Sequence, residues 1–144
     1  MKKLIGVVFI ACFAILMTGC ATGPKFSALK SSIPPVSQVK GRIYFYRTAV
    51  LGAAIQPKVK LNGETIGTAK PKGFFYVDRD PGNYEVETTT EVKRKLSLTL
   101  DKGMVRYVRL NIAMGFFAGH VYPELVEDAT GEKEIAKCSQ TGRK

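Results

Sequence analysis

From Gly41 onward apolar and polar residues change places at every second position, the period of short β-strands. Arg42 to Arg47 reads Arg-Ile-Tyr-Phe-Tyr-Arg, with Ile43 and Phe45 on one face and Tyr44 and Tyr46 on the other, so this strand is expected to be covered on both sides. Val59 and Leu61 alternate with Lys58 and Lys60, and Asn62-Gly63 supplies the two left-handed positions of a tight hairpin leading to Ile66. Phe74 to Val77 predicts a further strand, closed by the turn Asp80-Pro81-Gly82-Asn83. Tyr84, Val86 and Thr88 then oppose Glu85, Glu87 and Thr89, and Leu96, Leu98 and Leu100 oppose Ser97 and Thr99 before the turn Asp101-Lys102-Gly103.

The next strand changes phase: Val105 and Tyr107 share one face, Val108, Leu110 and Ile112 the other. A β-bulge after Tyr107 is the expected device for keeping both sets on one core. Val121 to Val126 predicts a strand that Pro123 confines to an edge or makes irregular. Thr130-Gly131 reads as a turn, and Glu132 to Lys137 fits either a helical turn or a last strand. No stretch of helical period and useful length follows the first twenty residues. Seven or eight short strands with turns every eight to twelve residues predict an all-β fold, an antiparallel β-sandwich of immunoglobulin-like type over residues 41–138, with 139–144 as a basic tail.

The amino terminus is patterned differently. Lys2 and Lys3 precede an unbroken apolar run of 14 residues, Leu4 to Met17, and Leu16-Met-Thr-Gly-Cys20 then has the form of a bacterial lipobox. A membrane-spanning helix needs about 20 apolar residues, so residues 1–19 are expected to be a cleaved lipoprotein signal peptide. Cys20 then becomes the acylated residue, carrying diacylglyceryl and N-acyl groups. Residues 21–40 contain three prolines and four serines, which predicts a flexible tether with a span of roughly 25 Å. Ala21, rather than Asp, follows Cys20; by resemblance to enteric lipoprotein sorting this points to the outer membrane, facing the periplasm, more than to the inner membrane.

Charge and cysteine usage narrow the chemistry. The formal charge of +10 falls to +8 on cleavage, since Lys2 and Lys3 leave and 20 basic residues remain against 12 acidic ones. In a translocated protein the anions within reach are lipid headgroups, acidic polymers or acidic proteins, not nucleic acid. Lys58, Lys60, Lys93, Arg94 and Lys95 are candidate contacts to such an anionic surface, or solubilising and edge-protecting residues. Cys138 stands alone in the mature chain, so no internal disulfide can form. A nucleophilic pairing of Cys138 with His120 is weighed and set below a packed thiol with a surface imidazole. Asp78 and Asp80 read as strand-end and turn residues rather than a metal pair. No HExxH, CxxC, Walker or GxSxG motif is present in the mature chain, and neither an enzymatic activity nor a cofactor or metal is expected.

Two connections are unusually apolar: Ala49 to Ile55, and Ala113 to Gly119. Connections are normally polar, so these loops either close one end of the sandwich or present a contact surface, for which Val50, Leu51, Ile55, Phe116 and Phe117 are the candidates.

With Gly41-Arg-Ile-Tyr-Phe-Tyr-Arg, Val59-Lys-Leu-Asn-Gly-Glu-Thr-Ile-Gly, Gly73-Phe-Phe-Tyr-Val-Asp, Pro81-Gly-Asn-Tyr-Glu-Val, Leu98-Thr-Leu-Asp-Lys-Gly-Met and Glu124-Leu-Val in this order, the chain resembles the bacterial proteins grouped as domain of unknown function twenty-eight forty-six. The stretch from Val59 through Val86 is also similar to PEGA-type β-sandwich surface modules. The resemblance implies a β-sandwich in a cell-envelope setting and brings no catalytic residues with it. The expected function is that of a lipid-anchored envelope protein whose sandwich is a non-enzymatic interaction or structural module, binding an envelope protein or anionic component. The alternative is a small-ligand-binding lipoprotein with an apolar pocket under the 49–55 and 113–119 loops.

Overall fold

The structure, a computed structural model, describes residues 19–90, 94–115 and 119–142. The expected signal segment is therefore outside the described residues except for Gly19, and so are Lys93, Phe116 and Phe117. The described strands are β1 (Gly41–Tyr46), β2 (Lys58–Leu61), β3 (Glu64–Thr68), β4 (Gly73–Arg79), β5 (Gly82–Thr88), β6 (Lys95–Leu100), β7 (Val105–Met114), β8 (Gly119–Val126) and β9 (Ser139–Gln140). They form a five-stranded sheet in the order β8-β7-β1-β4-β9 and a four-stranded sheet in the order β3-β2-β5-β6. The sandwich is as the alternation predicts. It is not purely antiparallel, because β1 pairs with β7, and β4 with β9, in parallel.

Side chains of period two from both sheets fill the space between them. Ile43, Phe45, Val108, Leu110 and Val121 meet Val59, Leu61, Val86, Leu98 and Leu100 there, all at 5% exposure or less. The Asn62-Gly63 hairpin has φ of 48° and 82°, the left-handed pair that joins strands of natural twist through two residues.

The phase change in β7 has a different cause from the one expected. Its pairing with β8 runs without interruption from Tyr107 to Met114, so no bulge follows Tyr107. The residues of opposite phase serve two cores. Tyr107 and Val105 join Tyr44, Tyr46, Phe74, Phe26, Ile135 and Cys138 in a second apolar cluster on the outer face of the five-stranded sheet. A register shift does occur in the β2–β3 pairing, between Val59 and Lys60.

Two helices roof this second core, α1 (Phe26–Leu29) and α2 (Asp128–Ile135). Thr130-Gly131, expected as a turn, lies inside α2. Gly131 faces Tyr107 so closely that a Cβ there would sit 2.2 Å from the ring's Cγ; the glycine is what lets the helix backbone reach the sheet. Arg109 ties the same helix down, with Nη1 donating to Glu134 at 2.7 Å and Nη2 to Glu124 at 3.0 Å, while the Tyr46 hydroxyl donates to the other Glu134 oxygen at 2.6 Å.

The expected tether is likewise corrected. Phe26 is 5% exposed and meets Tyr44 and Phe74 edge to face, with ring centroids 5.5 and 5.2 Å away. Its amide donates to Cys138 O at 2.9 Å, and Lys25 bridges Ser139. Prolines and serines disguise a segment whose one aromatic residue is a core residue. At the other terminus, Ser139–Gln140 is a strand and Thr141 is buried, so the expected basic tail is part of the fold through Thr141.

Candidate functional site

The register places four connections at one end of the sandwich. β1 ends and β2 begins there, so the 47–57 loop lies there, as do the 69–72 turn between β3 and β4, the end of β5 with the start of β6, and the end of β7 with the start of β8. β7 runs five residues past Arg109, which pairs with the last residue of β1, so the hairpin overhangs the end of the sheet. The 47–57 loop leans against that overhang: a Cβ on Gly52 would lie 2.2 Å from Cδ1 of Ile112, and one on Gly119 would lie 2.5 Å from Cδ1 of Ile55.

Arg47 organises this loop. It is fully buried, and its guanidinium donates to four backbone carbonyls: Ile55 O at 2.6 Å, Leu51 O at 2.7 Å, and Ala69 O and Gly52 O at 3.0 Å each. The planar fork of Arg suits carbonyls that arrive from two chain segments. Burial lowers its pKa from the ordinary value, opposed by the nearby Cys20 thiol. Sequence reading missed this role, treating Arg47 as the basic end of a strand. Arg42, at the other end of β1, was missed in the same way. It is 3% exposed, forks onto Asp78 at 2.6 and 2.8 Å, and lies over the Tyr76 ring at 4.2 Å, which makes Asp78 the partner of a buried guanidinium.

The residues of the 49–55 loop are placed differently. Ile55 is partly buried and packs against the core. Val50 and Leu51 are 49% and 61% exposed, and Met114 at the hairpin tip is 62% exposed. A ligand pocket beneath the loops would need open space, and among the described residues that space holds the Arg47 guanidinium and the contacts between Ile55 and Ile112. An open depression of about 600 Å³ lies elsewhere, beside α1 and β9, lined by Leu29, Ile33, Lys70, Tyr76 and Thr141.

Cys20 emerges at the same end. It is exposed, and its two neighbours are both fastened: Gln56 Nε2 donates to Gly19 O at 2.7 Å, and Ala21 N donates to Pro71 O at 3.0 Å. Next along the chain, Gln140 N donates to Pro24 O at 2.8 Å.

The candidate basic residues are arranged in two ways. Lys60 lies 3.9 Å from Glu87, and Lys95 lies 2.7 Å from Glu85 and 4.0 Å from Glu87, so both are paired on the outer face of the four-stranded sheet. β2 is an interior strand, which removes edge protection as the role of Lys58 and Lys60. Arg94 covers the Tyr122 ring at 4.8 Å, and Lys58 donates to Thr68 Oγ1 at 3.2 Å.

Cys138 is fully buried, with Sγ 3.7 Å from Arg47 O and 3.9 Å from Glu134 O, and His120 is not among the partners of its sulfur. Burial pushes the thiol up to about 11 from an ordinary 9.0. A thiol so placed is a packing group, since the thiolate is the reactive form. Alkylation of Cys138 in the native protein at pH 8, read by peptide mass so that Cys20 is counted separately, is expected to be far slower than that of free cysteine. Between about pH 9 and 11 the unfolded chain loses the proton that the native thiol keeps, so stability contributed by this group is complete below 9 and declines through 11. Alkylation rates and denaturation midpoints across that range check both statements.

A family described as "Protein of unknown function (DUF2846)" matches residues 37–121, which is 85 of the 144 residues. A protein of Haemophilus influenzae, described as uncharacterized, is 28% identical over 143 residues, covering 96% of this chain and 85% of its own length.

Proposed function

Since the chain belongs to this family of unknown function, its β-sandwich brings no inherited activity, and we propose that it is a lipid-anchored bacterial cell-envelope protein whose sandwich is a non-enzymatic interaction or structural module. The observation that carries this reading is Cys20: it closes the sequence Leu-Met-Thr-Gly-Cys and lies exposed at the surface of the folded domain, where a transferase and a peptidase can reach it. Acylation there tethers the domain to a membrane of the envelope, the outer membrane by the identity of Ala21. Cys20→Ser removes the acceptor sulfur. Cells producing the full-length variant are expected to lose membrane fractionation of the mature domain, and the wild-type amino-terminal peptide is expected to carry the mass of its acyl groups. Wild-type protein with an unmodified Cys20 would end this reading.

A further inference from the structure

A domain anchored through Cys20 could hang from the membrane on a spacer or lie against it, and the described contacts discriminate between these geometries. Cleavage removes Gly19 and its bond to Gln56, but the bond from Ala21 N to Pro71 O belongs to the mature chain, as do the bond from Gln140 N to Pro24 O and the packing of Phe26. The first residue after the acylated one is thus already fastened to the 69–72 turn. No free spacer separates the acyl chains from the domain, and the leaflet that receives them must meet the end of the sandwich from which Cys20 emerges.

That end has the composition such contact requires. Of the five large apolar residues exposed among those described, Val50, Leu51 and Met114 project from it. Around them stand Lys58, Lys70, Lys72 and Arg94. At the opposite end, Glu64, Asp80 and Asp101 offset Lys40, Arg79 and Lys102, so the positive excess collects on the side of Cys20. An apolar tip within a basic collar suits the boundary of an anionic leaflet, where apolar side chains enter the acyl region and cations stay with the phosphates.

We propose that this end of the sandwich docks directly on an anionic phospholipid leaflet, with Val50, Leu51 and Met114 inserted beside the acyl chains of Cys20 and the collar on the headgroups. The proposal rests on acylation of Cys20. It orients the domain, leaving the turns at Asn62-Gly63, Asp80-Pro81 and Asp101-Lys102-Gly103 pointing away from the membrane for any envelope partner.

The chain contains no tryptophan, so single tryptophans can report position without background. Full-length Leu51→Trp and Lys102→Trp proteins, produced in cells that acylate them, are reconstituted in vesicles of phosphatidylethanolamine and phosphatidylglycerol, with and without brominated acyl chains. Leu51→Trp is expected to emit at shorter wavelength than Lys102→Trp and to lose most of its intensity in brominated vesicles, while Lys102→Trp is unchanged. Water-like, unquenched emission from Leu51→Trp in protein whose acylation is verified by mass overturns the docking and leaves the anchor standing. Short-wavelength emission that brominated lipid does not quench means a protein covers the loop, and equally overturns it. An unacylated protein recovered off the vesicles fails the anchor reading itself, and the docking falls with it.

Discussion

Arg47→Met is expected to lower the stability of the domain by about 3 kcal/mol, read as a shift in urea midpoint with an unchanged slope. Methionine replaces the aliphatic stem of arginine but not its guanidinium, so a small buried space opens beside the loop. The loss comes chiefly from carbonyls left without donors: each buried unsatisfied acceptor costs about 1–3 kcal/mol. Leu51 O and Gly52 O belong to a loop with exposed flanks and can turn to water, whereas Ile55 O and Ala69 O, which join the loop to the 69–72 turn, are held by the core beside them. Arg47→Lys separates donor geometry from charge. A lysine keeps the charge but offers three donors on one nitrogen, and cannot span carbonyls presented along a planar fork. It is expected to recover only part of the loss, and full recovery would show that the charge alone matters. Amide exchange confined to residues 49–55 is expected to rise in both variants, because the guanidinium holds three carbonyls of that loop, those of Leu51, Gly52 and Ile55.

Phe26→Ala carries the second large effect, again about 3 kcal/mol by thermal or chemical denaturation. The substitution empties the space between Tyr44 and Phe74 and removes two edge-to-face ring contacts. In a tether the same change would be nearly silent, since surface substitutions fall within about 0.5 kcal/mol. A null result would detach residues 21–33 from the fold and return the anchor to a flexible spacer. The measurement therefore also bears on the proposed docking, because Phe26 is one of the contacts that would leave an acylated Cys20 no slack.

Both predictions concern residues whose roles were not visible in linear patterning, and the reason is the same for each. Arg47 stands at the end of a well-formed strand pattern, where a basic residue ordinarily reaches water; it is buried because the loop after it folds back across it. Phe26 is the lone aromatic in a stretch of small and polar residues, and a single apolar residue has no periodicity to betray it. Helix α2 was legible only as one of two readings of Glu132 to Lys137, a helical turn or a strand, because its eight residues carry just two buried positions, Gly131 and Ile135, and the first of these resembles a turn signal. The phase change in β7 was legible, but its cause was not: a bulge and a second core on the outer face leave the same trace in the sequence.

What the sequence by itself determined is everything that depends on neighbours along the chain. Alternation set which side chains of each strand share a face, Asn62-Gly63 set the hairpin, and Pro123 set an edge, because strand geometry and turn sterics act over two to four residues. The apolar run from Leu4 to Met17 is likewise a local pattern. Tertiary structure alone decided the rest. Parallel pairing of β1 with β7 joins residues some sixty positions apart, and nothing in either strand encodes the partner's direction. Roofing of the outer face by α1 and α2 made a second core out of Tyr44, Tyr46 and Tyr107. Convergence of Cys20, Val50, Leu51, Met114 and the lysines on one end of the sandwich follows from topology, which alone fixes where distant loops finish.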